Sequence, residues 1–490
     1  MNKLKLKDIV FYAIVWGAAA LLILISICVI RNLGPSVVKM PSYMGYAYLI
    51  LSITAVFIMY KANIVTKINT KVFITLLIII AIVPRFIWVY FVQTQPFSDF
   101  LHLHNYGISA SQGDFKGFVA FYAVFPFKIG FGMVLAGLYY TFGTGLMVAK
   151  MFNVAVSVIL VVLLYAGGKM LYGEKAGRVA ALMTALWPAQ IMYTSVIASE
   201  HLFLLLFIAS VLLILRFINK YTYKNYEIVN GNWLLIGIGV LTACAQLVRP
   251  MAMLLLPVFA VFVLLYKKYR ANSINSVGLG LKSIALVVIC FFGLINLVNI
   301  PIQIATGVDI TKSNSGFNLM IGTNAKSNGT FNKEDFGIIE KNGYDLDKVH
   351  KEAKQIATER LKGEPKQLWN LVKKKYQILW GNENYGYYWS TVAAQSSKAE
   401  RIIKSHPRAF YGIAQFSYTL VIIMALCACF YTLREKRYDA LILLMIFGGI
   451  LVSYTFLEVQ ARYHMPVIPI LILFGSSFFT EAASLHKSKM

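Results

Sequence analysis

Long apolar runs separated by short basic loops set the pattern of this chain. The runs fall at roughly 8–30, 43–60, 72–92, 144–165, 178–199, 201–217, 233–250, 251–266, 280–302, 411–432, 440–457 and 465–482. Each approaches or exceeds the length of about 20 residues that a helix needs to cross hydrocarbon. The pattern predicts an all-α polytopic membrane protein with about 12 transmembrane helices. Phe131 to Phe142 is short, aromatic and glycine-containing, and a full crossing there would break the parity. It is expected as a re-entrant or interfacial segment. The first run follows Met1-Asn2-Lys3-Leu4-Lys5-Leu6-Lys7 and lacks a small-residue cleavage site, so it reads as a retained anchor.

Charge then orients the helices. Basic loops lie at the N-terminus, Lys61 to Lys71, Lys169 to Arg178, Arg216 to Lys224, Lys267 to Arg270, Arg434 to Arg437 and Lys487 to Lys489. Loops rich in Lys and Arg stay in the cytoplasm. An even number of crossings leaves both termini there. Two long stretches face the opposite side: Gln93 to Gly130, and Ala305 to Arg408. The expected organisation is a membrane domain over 1–304 with an outer loop at 93–130, a small, mostly helical extracytoplasmic domain over 305–408, and C-terminal transmembrane helices over 409–490. Within the outer domain Asp345 to Trp380 has helical pattern, with Gly363 and Pro365 dividing it in two.

Composition agrees. Of 490 residues, 58% are hydrophobic and only 14% charged, against roughly a quarter charged in soluble domains. A net charge of +25 would point to nucleic acid in a soluble protein; here topology explains it, and no nucleic-acid partner is expected. The five cysteines all lie in apolar runs, which implies no disulfide framework. No P-loop and no HExxH occurs.

The acids act as a sieve. Of 21 acidic residues, eleven fall in the outer domain, and Asp8, Glu174, Glu227, Glu435, Asp439 and Glu481 belong to the inner face. Asp99, Asp114, Glu200 and Glu458 remain on the outer side of the membrane domain. An acid close to hydrocarbon is costly and marks a functional candidate. Asp99 heads a segment with helical spacing, Asp99, His102, Tyr106, Ser109 and Gly113, whose polar edge would face a cavity; the bland alternative is a helix cap at Ser98-Asp99. Glu200 sits in a tight turn and would point toward Asp99; the alternative is a solvated, idle carboxylate at the hairpin tip. Glu458 stands four residues before Arg462, where a helical turn would pair them. Asp114 lies in a Gly-Asp loop and reads as a solvated turn residue. Arg85, Arg249 and Arg462 lie on the outer half. A guanidinium can grip a phosphate with two parallel hydrogen bonds. Snorkelling is the alternative for Arg85 and Arg249, and it is favoured for Arg85. His102 and His104 lie on opposite sides of a helix, so no shared metal is expected there and no cofactor is assigned; one ring would be packed, the other wet.

These pieces occur in an order that resembles bacterial protein-mannosyltransferase-like glycosyltransferases of the GT-C superfamily. The resemblance rests on Pro96-Phe97-Ser98-Asp99-Phe100 with Tyr122 to Lys128, then Ala180 to Glu200, Leu247-Val248-Arg249-Pro250, the loop Phe317 to Asp335 with Gly322-Thr323-Asn324 and Asn328-Gly329-Thr330, and Glu458 to Pro466. It spans most of Val72 to Phe479. Members often carry two acids in the first loop; here only Asp99 is acidic, and nothing supports a divalent cation. Two spans precede the run that leads into the motif, where many members have one.

The resemblance implies a GT-C-like fold in a bacterial cell membrane. It implies transfer from a polyprenyl-phosphate-linked sugar donor to a cell-wall polymer, lipid or protein acceptor, by inverting displacement on the outer face. Asp99 would be the general base, with Glu200 orienting the acceptor or tuning it. Arg249 and Arg462 would offset charge on the leaving phosphate, and Arg85, His102, Tyr106, Asn324, Glu458 and Tyr463 would complete the substrate contacts. The apolar spans would hold the prenyl tail alongside membrane lipid. A flippase for lipid-linked sugars and a glycan ligase or polymerase of the same superfamily are the rivals; a flippase predicts charges along a crossing path and internal symmetry, and neither pattern is seen.

Overall fold

The computed structural model describes residues 6–31, 40–41, 43–61, 67–223, 232–267, 275–395 and 397–480. The basic positions expected at Lys224, 268–270 and 487–489, and the acids Glu227 and Glu481, lie outside the described residues.

The fold is helical throughout; among the described residues the only β pairing is an isolated antiparallel bridge, Thr94 to Ala394. α1 (Leu6–Arg31), α2 (Tyr43–Lys61) and α3 (Thr70–Phe91) are long and apolar. They lead to α4 (Asp99–Ser111), the short α5 (Val119–Val124) and α6 (Ile129–Phe142). α6 packs on α4 and, at 14 residues, spans only about 21 Å, too little to cross hydrocarbon alone. The chain continues with α7 (Leu146–Tyr172), α8 (Glu174–Ala185), α9 (Pro188–Tyr193), α10 (Glu200–Tyr223), α11 (Asn232–Val248), α12 (Leu255–Lys267) and α13 (Asn275–Thr306).

Among the described residues, eight helices are long and apolar enough to cross a membrane, and three shorter apolar segments accompany them. The run expected at 178–199 is interrupted. That run is not one helix. α8 stops at Ala185, and α9 begins at Pro188. Proline lacks a backbone donor and biases the residue before it away from the helical region; Trp187 is accordingly extended, with ψ 103°.

The break explains Arg85, whose side chain is wholly buried. It donates to the carbonyls of Ala81 and Ala185 at 2.8 Å, to that of Thr184 at 3.1 Å, and to Gln190 Oε1 at 2.5 Å. Two of those carbonyls belong to the end of α8, where helical acceptors are orphaned and a cation is favoured. Arg85 neither snorkels nor reaches the candidate site, which removes it from the substrate contacts.

α7 and α8 form a close hairpin. Its turn residue, Gly173, has φ +94°, and a Cβ on Gly177 would lie 2.7 Å from Tyr165 O and Lys169 N. Glycine is required at both positions. The basic loops gather at this end. Arg178 donates to Ile68 O and pairs with Glu174 at 2.6 Å, Lys175 donates to Tyr60 O, Arg437 reaches Leu171 O, and Tyr438 bonds Asp8.

The opposite end carries α14 (Ser315–Gly322), α15 (Lys333–Lys341), α16 (Leu346–Leu361), α17 (Pro365–Trp380), α18 (Tyr385–Thr391) and α19 (Lys398–Ser405). The division expected at Gly363 and Pro365 is the gap between α16 and α17. Asp345 caps α16 through Asp347 N and Lys348 N. Phe317, Met320, Ile321, Ile338, Val349 and Ala353 form a small core of their own with Val124 and Phe125 of the 119–128 loop. Leu379, Trp380 and Tyr385 instead join the large core of the spans. α20 (Pro407–Glu435), α21 (Leu441–Phe456) and α22 (Val467–Ser476) complete the chain.

Candidate active site

The segment before Asp99 is fixed by Thr94. Its hydroxyl donates to Ser390 O at 2.6 Å and meets Ser195 Oγ at 2.8 Å, and its carbonyl accepts from the buried Lys150 Nζ at 2.7 Å. Gln95 N donates to Ala393 O at 2.9 Å. Ser98 then takes φ +52° and ψ −136° and makes no side-chain cap bond. Such a conformation is costly for a non-glycine residue and clusters at functional positions. It also sets aside the bland capping alternative, because the Asp99 carboxylate goes elsewhere.

Asp99 pairs with Lys128 at 2.8 Å. Lys128 ends a 3-10 turn, Pro126–Lys128, that folds back over α4. Its ammonium lies 4.6 Å from the Phe121 ring centre and 4.9 Å from that of Phe125, within cation–π range. Phe125 in turn packs edge-on against Phe317, and Asn314 donates to Val124 O at 2.9 Å. The outer helices thus brace the loop that presents Lys128. Partial burial pushes the Asp99 carboxyl up, but Lys128 and Arg462 outweigh it and hold the group below the usual carboxylate range.

Arg462 occupies the 3-10 turn Ala461–His464 and is 8% exposed. Its guanidinium lies 4.7 Å from the Trp389 ring centre and 5.2 Å from that of Phe100. Trp389 stacks on Phe97, so the arginine is seated against the same aromatic group that frames Asp99. No carboxylate lies within 4.0 Å of Arg462 among the described residues, yet it stands in electrostatic range of both Asp99 and Glu200. Glu200 opens α10, is 3% exposed, and pairs with Arg249 at 2.7 Å. Tyr193 faces both Glu200 and Arg462.

Glu458 completes the rim without the expected ion pair. The turn at 461–464 is 3-10 rather than α-helical, so Arg462 swings toward the aromatic rings. The Glu458 carboxylate accepts from Gln460 Nε2 at 2.8 Å and Tyr463 OH at 3.4 Å. Burial pushes its carboxyl up, the Gln460 bond and Arg462 oppose this, and the charge of Asp99 adds to the rise. Two neighbouring carboxyls are thus driven apart, one low and one high.

The structure therefore brings Asp99, Glu200, Arg249, Glu458, Arg462 and Tyr463 together, keeps His102 in electrostatic range of Asp99, and disperses the other candidates. Tyr106 is wholly buried against Tyr122, its hydroxyl toward Met133. His102 is exposed and stacks on Phe121 at 4.4 Å, and His104 is buried and bonded to Tyr139 OH at 2.7 Å, on opposite faces of α4. Asn324 is internal to its loop. It donates to Asp335 Oδ2 and accepts from Lys326 N and Ser327 N, while Asp335 also holds Arg360. The Gly-Thr-Asn loop shapes the site from behind: Glu458 N donates to Asn318 O, and Val459 N to Gly329 O. Asp114 is an exposed turn acceptor for Ser109, Lys116 N and Gly117 N. Lys128 had no assigned role in the sequence, although it closes the quoted Tyr122 to Lys128 motif.

Residues 129–295 match the family model of dolichyl-phosphate-mannose-protein mannosyltransferases. The resemblance to the protein-mannosyltransferase group holds. The matched stretch begins directly after Lys128 and contains Glu200 and Arg249. Crystal structures of ArnT from Cupriavidus metallidurans are similar at 12% identity. The form bound to undecaprenyl phosphate covers 85% of this chain and 79% of its own, with a TM-score of 0.35; the apo form covers 84% and 77%, at 0.32. No curated protein matches the chain.

Proposed function

We propose that this protein is a membrane glycosyltransferase that moves a sugar from a polyprenyl-phosphate donor to a hydroxyl acceptor of the cell envelope by a single inverting displacement. The site faces away from the basic loops, hence outside a bacterial cell membrane, with both termini cytoplasmic. The observation that carries this reading is the pair of cations around Asp99: Lys128 at 2.8 Å, and the buried Arg462, which no carboxylate among the described residues neutralises directly. A leaving phosphate needs such charge as its bond to sugar breaks, and cations placed beforehand act most strongly in the transition state.

In the proposed step Asp99 takes the proton of the acceptor hydroxyl. The hydroxyl oxygen bonds to the anomeric carbon, and the carbon–oxygen bond to phosphate breaks, releasing polyprenyl phosphate. One carboxylate on the attack face suffices for inversion. Lys128 and Arg462 take the phosphate charge, and Glu200 holds Arg249 as a third cation behind them. Residues 305–408 act as the extracytoplasmic unit that covers the acceptor, between a membrane unit at 1–304 and the helices of 409–490. Asp99→Asn tests the step. Transfer of sugar from a polyprenyl-phosphate donor should vanish while the protein still inserts and binds polyprenyl phosphate; transfer at the wild-type rate would remove Asp99 from the mechanism.

A further inference from the structure

Behind this site lies an acid–base pair that the proposed step does not use. The Glu383 and His464 side chains are both 0% exposed. His464 Nε2 meets Glu383 Oε2, and His464 Nδ1 meets the carbonyl of Leu379. Trp187 Nε1 donates to Glu383 Oε1 at 2.8 Å. The imidazole is sandwiched by Tyr418, with ring centres 5.1 Å apart at 14°, and Trp380, at 5.7 Å and 23°.

Both ring nitrogens of His464 thus meet an oxygen partner. A carbonyl oxygen only accepts, and so does a carboxylate; a neutral imidazole has one N–H and can satisfy one of them. A buried pair of this kind is held by its partners, since either group alone would be an uncompensated buried charge or an orphaned donor.

Its place in the chain gives it a task. His464 sits two residues after Arg462 on the same 3-10 turn. Glu383 lies in the link between α17 and α18, and α18 carries Trp389, the ring nearest the Arg462 guanidinium. The clamp thus joins the two segments whose meeting defines where that guanidinium stands. We infer that Glu383 and His464 are positioning residues for Arg462, and through it for the phosphate of the lipid donor. The second clause rests on the function proposed above; the first does not.

Two measurements on the full-length protein in lipid nanodiscs separate them. Phenylglyoxal labelling, followed by peptide mass spectrometry, reads how firmly Arg462 is held. His464→Gln should raise its labelling rate about tenfold, the scale of losing one hydrogen bond to a charged group, and leave Arg249 unchanged. Trp187→Phe, a milder change should His464→Gln fail to fold, should raise it a few-fold. Glu383→Gln should leave it within about twofold, because its amide can still bond His464 Nε2 and its oxygen still accepts from Trp187. Unchanged Arg462 labelling in the first two variants overturns the positioning role. Binding of a short-chain prenyl monophosphate by calorimetry reads the function. His464→Gln and Arg462→Lys should each weaken it about tenfold, and the double variant no further. Additive losses overturn the link from the clamp to phosphate, whereas a wild-type protein that ignores the probe overturns the proposed function and leaves the labelling result to judge the clamp.

Discussion

Glu200 and Arg249 meet at 2.7 Å where the N-terminal end of α10 faces the C-terminal end of α11. Each charge lies at the helix end that favours it: an acid beside free N–H groups, a cation beside free carbonyls. The pair joins two spans at the level of the site, and its acid is almost wholly buried. Glu200→Gln keeps the shape and removes the countercharge. Stability should fall by about 1.5–3 kcal/mol, the cost of losing a hydrogen bond to a charged group. Adding Arg249→Gln should cost less than the sum, as expected for coupled partners. Thermal unfolding of the two single variants and the double variant checks this. A Glu200→Gln protein that melts with the wild type would show that the pair is idle.

The Asp99–Lys128 contact predicts a pH effect with a definite sign. Lys128 and Arg462 hold the Asp99 carboxyl low, so it is ionised well below neutral pH. A general base works when deprotonated. Lys128→Met removes the nearer cation, the carboxyl rises, and the acid limb of the transfer profile moves to higher pH. At neutral pH the rate also falls, because a phosphate cation is lost. A rate profile whose acid limb stays in place would separate Lys128 from the ionisation of Asp99.

Much of this arrangement was readable as a pattern of exceptions. The spans follow from apolar run length, and the gathering of Asp99, Glu200, Arg249 and Arg462 at one end follows from counting charges by side. Two kinds of feature were hidden. The break at Trp187-Pro188 looks like one apolar run, since hydropathy does not register a lost backbone donor; Arg85, which satisfies that break, then passes for a site cation. Lys128, Glu383 and His464 depend on tertiary folding of aromatic loops. Glu383 counts among outer-domain acids by position, yet the chain carries it into the core behind Arg462, where no local periodicity announces it.

Gly322 ties the Gly-Thr-Asn loop to the segment bearing Glu458. A Cβ there would lie 2.1 Å from Phe456 O and 2.4 Å from the Leu457 carbonyl carbon, and backbone atoms cannot step aside as a flexible side chain can. Gly322→Ala should cost about 1–3 kcal/mol by overpacking and slow transfer beyond what the melting shift explains, because Glu458 follows the displaced segment. Gly337 in α15 has open space around it, so Gly337→Ala should instead stabilise by roughly 0.5–1 kcal/mol through helix propensity. Equal melting shifts of the same sign in the two variants would refute the packing argument.

Lys375 pins α17 to the end of α21 without any carboxylate. Its buried ammonium donates to Gly322 O and Thr455 O, each at 2.8 Å. Burial pushes this amine down to about 7, against an ordinary value of 10.5. Between those two values the unfolded chain holds a proton that the folded chain has released, so stability rises with pH across that window and is level below it. Lys375→Met lacks this slope, whatever constant offset comes from its two lost hydrogen bonds. The melting temperature of the wild type minus that of Lys375→Met should therefore climb from pH 7 to pH 9. Other titrating groups cancel in that difference, since both proteins share them. A flat difference would mean that Lys375 keeps its charge when folded, and that the carbonyls of Gly322 and Thr455 solvate an ammonium as well as water does.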